Sequence, residues 1–246
     1  MLKLLSFLLL FTSFSYTEII KADYSVEFGI VGEVAQVSAS IKKEKNKYFL
    51  KSTVKAVGLI ATTMTQGLRE KHFSKGHIKN GLLIVDKYQM FRYYGDYITT
   101  TIYSVNHILK QVQKHYIEWK NGKKVREYRK RLGYYSPDDM LILFLNLPLH
   151  IKEKYTPKHY VFKVVGADRD NGTADIIIPK YAEAKEMESL LGKPQEGEWL
   201  LNVIMHRKLY RSKNGSLDVK IGKEGFVDKA VLKDLIFFGD VRIIRQ

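Results

Sequence analysis

The chain has 246 residues, of which 41 are Lys or Arg and 26 are Asp or Glu, so its formal net charge is +15. A hydrophobic fraction of 45% is enough to build a core, which excludes wholesale disorder. The absence of cysteine excludes disulfides, thiolate metal sites, a cysteine nucleophile and a lipid-modified N-terminal cysteine. The length suits one large β-rich domain or two small ones, and we predict one because no linker or composition break divides the chain.

The first fifteen residues have the pattern of a secretory signal. Lys3 precedes an apolar run that ends at Phe11, and Ser15 is a small residue suited to the position before a cleavage site. The run is shorter than the ~20 apolar residues that span a bilayer. We therefore predict residues 1–15 as a cleaved signal peptide and residues 22–246 as a single domain. The predicted mature protein is periplasmic, is not a lipoprotein and has no transmembrane helix; an uncleaved anchor and a buried N-terminal strand are the alternatives.

Apolar residues recur at every second position over most of the chain, which is the period of β-strands. In the first such segment the alternation runs from Tyr24 to Ile30 and changes phase at Gly32, so we predict a β-bulge or a tight turn there. The alternation continues to Ile41, and a strand returns from Tyr48 after a polar turn. A long antiparallel hairpin is predicted for this opening.

The later strand predictions follow the same pattern. They cover residues 82–95, 97–108, 110–120, 123–132, 161–165, 174–178, 199–211, 216–221, 227–238 and 241–244. Asn-Gly pairs at 121–122 and 214–215 are signals for type I′ hairpin turns. The apolar segment 57–64 is either a short helix or a loop that covers the sheet.

Two helices interrupt the strands. The first is predicted over residues 136–147, where Ser136 is a suitable N-cap and Pro148 ends a nearly all-apolar run. Such a helix must be buried on most sides, so we predict that it fills or lines the inside of a curved sheet. The second is predicted over residues 181–191, with Gly192 at its C-terminal end. The predicted fold is mainly β: a single antiparallel, strongly curved sheet or incomplete β-barrel with two short helices.

The hairpin predicted between residues 110 and 132 is the most distinctive surface feature. Its cations interleave with Tyr116, Trp119 and Tyr128, a combination that suits an anionic membrane interface, a phosphorylated glycolipid or a single-stranded nucleic acid. Because the chain is predicted to be exported, nucleic acid is not an expected partner. The predicted anionic-surface contacts are Lys120, Lys123, Lys124, Arg126, Arg129, Lys130 and Arg131. The alternative is an exposed ribbon whose charges prevent edge-to-edge aggregation.

Aromatic residues crowd the two strands predicted between residues 82 and 108, and they fall on both faces. They are Tyr88, Phe91, Tyr93, Tyr94, Tyr97 and Tyr103. In an open or closed barrel, one of these sets would line an apolar cavity; ordinary sheet packing is the alternative.

The sequence contains no catalytic motif and predicts no cofactor and no metal site. None of its seven histidines forms a metal-ligand pair at helical spacing with a nearby carboxylate, so each is predicted to have a surface or satisfied role. Asp168, Asp170 and Gly172 lack the spacing and the final glutamate of a calcium loop. The glycosylation sequons at Asn171 and Asn214 fall on predicted turns, and modification is not expected. No nucleophile elbow, P-loop or Gly-rich nucleotide loop is present, which favours a non-enzymatic protein.

Four segments together resemble a known family. They are YSVEFGIVGEVAQVSASI, YFLKSTVKAVGL, SPDDMLILFLNL and WLLNVIMHRKLYRSKNGSLDVKIG, and the likeness extends over residues 23–238. They resemble an exported bacterial family catalogued as domain of unknown function 3108. The resemblance implies an exported, largely β protein without an established activity, and it assigns no site residue.

Three functions remain open at this point. The first is a non-enzymatic cell-envelope protein that binds an apolar or amphipathic ligand such as lipid, which an interior filled by side chains would argue against. The second is a basic module that docks on an anionic envelope polymer, a membrane surface or a partner protein, with peripheral membrane contact. The third is a hydrolase, which requires a polar cleft with a histidine in hydrogen-bond reach of a carboxylate or serine.

Overall fold

The computed structural model describes residues 17–167, 172–205, 216–235 and 239–246. The predicted signal peptide lies outside these ranges. None of the helices in the described part of the chain has the length and apolar character of a membrane span.

Fourteen strands and three α-helices make up the described fold. The strands are β1 (Thr17–Phe28), β2 (Gly32–Glu44), β3 (Lys47–Ala56), β4 (Arg69–Lys79), β5 (Leu82–Tyr94), β6 (Tyr97–Asn106), β7 (Gln111–Lys120), β8 (Lys123–Arg131), β9 (Lys158–Lys163), β10 (Thr173–Ile178), β11 (Trp199–Met205), β12 (Ser216–Ile221), β13 (Val227–Leu235) and β14 (Gly239–Arg245). The helices are α1 (Leu59–Met64), α2 (Ile142–His150) and α3 (Tyr181–Leu191). A 3₁₀ turn over Gly29–Val31 separates β1 from β2, and the register of the two strands shifts between Val26 and Glu27, so both a tight turn and a β-bulge lie near Gly32.

All fourteen strands belong to one antiparallel sheet. Its order is β8-β7-β6-β5-β4-β3-β2-β1-β14-β13-β12-β11-β10-β9, so two meanders, β1–β8 and β9–β14, are joined where β1 pairs with β14. Within the described residues β8 and β9 are the two edges, and the sheet is not closed. The prediction of a mainly β fold with a single antiparallel sheet or incomplete barrel is confirmed.

The apolar helix α2 packs against both meanders. Its Leu143 and Leu147 join a core cluster with Trp199 and other residues of β10–β13. Ile142 joins the second cluster, which contains Tyr88 and the apolar residues of β1–β7. Each fully buried side chain of this kind contributes about 1.5–3 kcal/mol. The helix therefore occupies the inside of the sheet, as its composition predicts.

The segment before α2, residues 136–141, is not helical as predicted. It forms a turn that is bonded to distant parts of the chain. The hydroxyl of Ser136 donates to the carbonyl of Lys163 on β9, so it does not cap the helix. Asp139 does so instead, because its Oδ1 accepts the backbone N–H groups of Leu141 and Ile142 at 2.8 and 3.1 Å. The predicted helix start at Ser136 is therefore wrong.

The predicted end of α2 at residue 147 is also wrong, whereas the predicted end of the second predicted helix, α3, at residue 191 is correct. The helix α2 continues through Pro148 to His150, and the N–H of Ile151 donates to the carbonyl of Leu147 at 2.8 Å. A proline inside a helix removes one N–H from the helical ladder and crowds the carbonyl four residues before it, and here only Leu149 and His150 follow it in the helix. The helix α3 begins and ends as predicted, and Gly192 adopts a φ of 82° after it.

The α2 segment also supplies hydrogen bonds that the sheet lacks. Strand β6 pairs only with the later part of β5. At the beginning of β5, the Leu83 N–H donates to Asn146 Oδ1 at 3.0 Å, and Asn146 Nδ2 donates to the Leu83 carbonyl at 2.8 Å. The Val85 N–H donates to the Pro137 carbonyl at 2.9 Å. This segment thus takes the place of a neighbouring strand.

Asp139 is a buried carboxyl at the centre of this docking. Ser74 donates to its Oδ2, and the Tyr48 hydroxyl lies 2.9 Å from the Ser74 hydroxyl. Burial raises the pKa of the Asp139 carboxyl to about 6, although the hydrogen bonds from Ser74 and two backbone amides act in the opposite direction. An ordinary aspartate in the unfolded chain has a pKa of about 3.9.

We expect Asp139 to make the protein less stable as the pH rises from about 4 to about 6. In that interval the folded state holds the proton of Asp139 and the unfolded state has lost it, so the free energy of unfolding falls with pH, by about 3 kcal/mol in total for this group. Asp139→Asn retains an acceptor for the backbone amides and cannot titrate. Urea unfolding at a series of pH values should show a flatter profile for Asp139→Asn than for the unmodified chain.

The control for this prediction is Glu196→Gln, which removes an exposed carboxyl. Its pH profile should follow that of the unmodified chain. Parallel profiles for Asp139→Asn and the unmodified chain would show that the carboxyl of Asp139 is not held protonated by the fold.

Candidate anionic-surface interface

The predicted basic hairpin forms one end of the sheet. Asn121 and Gly122 connect β7 to β8 with φ angles of 50° and 73°, the two positive values of a type I′ turn, which confirms the turn prediction. Strand β8 pairs with β7 on one side, and its other side is an edge of the sheet. We call β7, β8 and the turn between them the basic ribbon.

All of the predicted contact residues in the basic ribbon are exposed. They are Lys120, Lys123, Lys124, Arg126, Arg129, Lys130 and Arg131. Lys124 forms an ion pair with Glu127, and their charged atoms are 2.5 Å apart. Lys123, Arg129 and Arg131 have no carboxylate partner among the residues that the structure describes. The positive charge of the ribbon is therefore largely available to a partner.

The two carboxylates of the basic ribbon are engaged within it. Glu127 accepts from Lys124 at 2.5 Å and lies 2.8 Å from His115 Nε2, and these contacts lower its pKa to about 2. The Tyr116 hydroxyl donates to Glu118 at 3.0 Å. Both carboxylates thus remain as fixed partners inside the ribbon and offset only a small part of its cationic charge.

One face of the basic ribbon carries a stack of aromatic rings and cations. The rings of Tyr116 and Tyr128 lie on opposite strands with centroids 5.1 Å apart and an interplanar angle of 27°. The Arg126 guanidinium lies 5.2 Å from the Tyr128 centroid, and the Lys114 ammonium lies 5.8 Å from the centroids of Tyr128 and Tyr103. Burial, with the hydrogen bond to the nearby carboxylate, raises the pKa of Tyr116. The rings are thus held in defined positions beside the cations.

The opposite face of β8 also carries cations, and a bulge in this strand exposes an apolar side chain. Arg129 and Arg131 lie on the face away from Tyr128, whereas the extra residue Val125 shifts the alternation, so that Lys123 lies on the Tyr128 face. Val125 is 54% exposed. Protection against edge-to-edge aggregation accounts for cations on an edge strand. It does not account for the exposed valine between them or for the aromatic stack on the other face.

Beside α2, where the structure describes the lining residues, the interior of the sheet leaves little space for an apolar ligand. Tyr88 and Tyr103 of the predicted aromatic set are buried, with centroids 5.8 Å apart, and they pack in the core with α2. A cavity of 170 Å³ lies beside α2, between Ile41 and Phe226. Sites for drug-sized ligands measure about 300–1,000 Å³. A groove of 630 Å³ over β1–β3 is larger, but charged side chains such as Glu27 and Glu33 line it.

Six of the seven histidines lie beside a carboxylate, and His206 is outside the described residues. The pairs are His72 with Glu70, His77 and His107 with Asp86, His115 with Glu127, His150 with Asp138, and His159 with Asp175. Each of these six histidines therefore has a carboxylate partner for a ring nitrogen. His72 Nδ1 also lies 2.9 Å from the Tyr88 hydroxyl, but Tyr88 is only 1% exposed, so that arrangement is closed to a substrate.

One cluster was missed by the reasoning from sequence. A ligand atom from each of His77, Asp86 and His107 lies within 4.8 Å of the others. Asp86 is nine residues from His77 and 21 from His107 along the chain. Residues so far apart in the chain do not form a short sequence motif. The cluster could have been predicted only from the pairing register of β4, β5 and β6.

Some sequence predictions lie outside the described residues. These are the acidic turn residues Asp168 and Asp170, the sequons at Asn171 and Asn214, and the second Asn-Gly turn. The strands on either side of the two segments are paired as antiparallel neighbours, β9 with β10 and β11 with β12.

Comparison with known proteins gives a likeness of fold. No protein-family model matches the chain, and no curated protein matches it. The crystal structure of a beta-barrel-like protein of domain of unknown function DUF1849 from Brucella abortus superposes with a TM-score of 0.51 at 12% sequence identity, over 92% of this chain and 94% of that chain. At this identity the likeness shows the fold alone, a β-barrel-like domain of unknown function.

The resemblance to domain of unknown function 3108 is wrong. No family model matches, and the similar structure belongs to a differently named domain family. The segments on which the resemblance was based contain alternating strands and a polar turn before an apolar helix. Those features belong to the fold, which different families share, and they do not identify one family.

Proposed function

We propose that this chain is a non-enzymatic, exported protein that docks on the anionic surface of a membrane through the basic ribbon. The observation that carries this proposal is the concentration of seven exposed cations on one edge hairpin. Three of them, Lys123, Arg129 and Arg131, have no carboxylate partner among the described residues. Each Lys or Arg near an anionic membrane contributes about 1 kcal/mol, so the set is sufficient for reversible binding.

Apolar and aromatic side chains in the basic ribbon favour a membrane over a soluble polymer or a partner protein. Val125 is exposed among the cations, and Trp119 lies half-buried on the neighbouring strand. Tryptophan and tyrosine are suited to the level of lipid headgroups, where one end of the side chain is apolar and the other is hydrated. A purely anionic polymer offers these side chains no apolar region.

A lipid carried inside the barrel is the less favoured function. The cavity beside α2 has a volume of 170 Å³, and the core side chains of α2 occupy the adjacent interior. An acyl chain entering this cavity would have to displace α2, which carries buried contacts to both meanders. The external surface of the basic ribbon requires no such rearrangement.

Sedimentation with lipid vesicles tests the proposal directly. The chain should bind vesicles that contain phosphatidylglycerol and leave pure phosphatidylcholine vesicles unbound. Binding should be lost near 1 M salt, where the Debye length is about 3 Å. Equal binding to neutral vesicles would contradict the proposal in favour of an apolar lipid site. Binding to a soluble anionic polymer without binding to anionic vesicles would contradict it in favour of a polymer partner.

A further inference from the structure

Three side chains from separate segments converge beside β5. Asp86 Oδ1 lies 3.0 Å from His77 Nδ1 on β4 and 3.0 Å from His107 Nε2, which follows β6. The two imidazole rings meet edge to face, with centroids 5.3 Å apart and an interplanar angle of 90°. Two nitrogen ligands and one carboxylate oxygen thus surround one point near the surface, where Asp86 is exposed and both histidines are half-buried.

A β-bulge places Asp86 in this position. Gly76 pairs with Val85, and Lys75 pairs with Lys87, so Asp86 is the additional residue between them. A Cβ atom on Gly76 would lie only 1.8 Å from the carbonyl oxygen of Ile84, and this close approach of the two strands requires glycine. The cluster is therefore fixed by the backbone of the sheet and does not depend on flexible loops.

His107 is also held by a group outside the cluster. The Tyr135 hydroxyl lies 2.9 Å from His107 Nδ1, and the two rings meet edge to face with centroids 5.9 Å apart. A histidine that binds a metal through one ring nitrogen generally donates the N–H of the other to a carboxylate, a carbonyl or a water, which fixes the tautomer and the ring orientation. The oxygen of the Tyr135 hydroxyl is an acceptor in the corresponding position. In the metal-free cluster the Asp86 carboxylate accepts the N–H of His107 Nε2, and a metal ion would take the place of that proton while Nδ1 donates to the Tyr135 hydroxyl.

We propose that His77, Asp86 and His107 bind a divalent transition-metal ion of the Zn²⁺ class. Two imidazoles with a carboxylate suit Zn²⁺ and its neighbours, whereas Ca²⁺ and Mg²⁺ prefer oxygen ligands. Ligands at ~2.0–2.2 Å from a tetrahedral zinc ion are separated from one another by about 3.4 Å. The two 3.0 Å separations at Asp86 therefore need to change by only a few tenths of an ångström.

Three protein ligands leave a coordination position for water or another ligand. Open positions of this kind distinguish metal sites that accept an external ligand from closed structural sites. His77 and Asp86 line a surface groove of 430 Å³ that is open to solvent. Lys42, Lys47 and Lys75 also line this groove, and its one glutamate, Glu44, forms an ion pair with Lys42 at 2.8 Å. An anionic ligand of the metal would therefore be favoured there over a cationic one.

Titration calorimetry with Zn²⁺ tests this site. The chain is prepared without a histidine tag, and bound metal is removed with a chelator. It should then have one Zn²⁺ site whose affinity exceeds that of any other Zn²⁺ site on the chain. Each of the variants His77→Gln, Asp86→Asn and His107→Gln should weaken that binding by at least about 100-fold. Tyr135→Phe should weaken it by about 10-fold, since loss of an outer partner of a metal-ligating histidine costs 10–100-fold.

The matched control is His115→Gln, which removes a histidine paired with Glu127, and no third metal ligand joins this pair among the residues that the structure describes. It should leave the affinity for Zn²⁺ unchanged. Circular dichroism and thermal unfolding establish that each variant is folded, and a bound Zn²⁺ should raise the melting temperature of the unmodified chain but not that of Asp86→Asn. The proposal is overturned if the three ligand variants bind Zn²⁺ as tightly as the unmodified chain, or if His115→Gln weakens binding as much as they do.

Discussion

Replacing Asn146 by alanine is expected to lower the free energy of unfolding by about 5 kcal/mol, the largest stability effect that we predict for a single substitution. Asn146 is 1% exposed and makes three hydrogen bonds, two to the backbone of Leu83 and one of 2.6 Å to Asp138 Oδ1. Alanine leaves a backbone N–H, a backbone carbonyl and a carboxylate oxygen without these partners. Each buried polar group in that condition costs about 1–3 kcal/mol, and a charged group costs more.

The matched control is Asn106→Ala. Asn106 also accepts a backbone N–H, that of Leu109 at 2.9 Å, but it is exposed, and water replaces the lost bond. We expect its loss of stability to stay within about 1 kcal/mol. Urea unfolding compares these two variants. In a further variant, Asn146→Ser, amide hydrogen exchange should show lost protection of the Leu83 N–H. If Asn146→Ala is no less stable than Asn106→Ala, the helix is not docked through this side chain.

The parts of the fold that could be predicted from sequence are those determined by near neighbours in the chain. The turn at Asn121-Gly122 requires positive φ at two adjacent residues, and the helix α3 ends at a glycine that adopts a φ of 82°. Alternation of apolar residues likewise predicts strands because the pleat repeats every two residues. The turn and the helix end were correct in position because nothing outside the segment decides them. Alternation gave the strand character of the fold, but it did not predict β4, and it placed β9 at residues 161–165.

The segment before α2 shows why other predictions failed. Ser136 and Asp139 are residues that commonly cap a helix, and by sequence alone Ser136 is the natural first residue. The structure uses Ser136 to bond the carbonyl of Lys163, and Asp139 both accepts from Ser74 and caps the helix. Which of the two residues caps the helix depends on strands that are far away in sequence. The local sequence pattern therefore could not predict the cap.

The two candidate sites also differ in whether near neighbours in the chain or distant strands determine them. The basic ribbon is contiguous in the chain, and its cations could be identified one by one before the strand register was known. The cluster of His77, Asp86 and His107 depends on the order β4-β5-β6 and on a bulge that shifts one residue. Histidine spacing along the chain gives no indication of it. Both sites belong to the first meander, whereas α2 carries core contacts to both meanders.

Reversing three charges on β8 is expected to abolish binding to anionic vesicles. The variant carries Arg129→Glu, Lys130→Glu and Arg131→Glu together. At about 1 kcal/mol for each unit of charge near the membrane, the change of six units should weaken binding by at least about 1,000-fold. The cross-strand partners of these positions are His115, Lys114 and Gln113, none of which is acidic, so the new glutamates meet no carboxylate directly opposite. The variant should therefore fold normally.

The control must change the net charge equally while leaving the basic ribbon intact. Lys152→Glu, Lys193→Glu and Lys223→Glu together do so, because all three side chains are exposed and lie outside the ribbon. If binding depends on the position of the charges, this variant should retain most of its affinity for phosphatidylglycerol vesicles, since distant exposed charges are screened within about 10 Å at 0.1 M salt. Equal losses in the two variants would mean that overall charge, and not the basic ribbon, governs the interaction. An unchanged affinity in the β8 variant would exclude the ribbon as the docking surface.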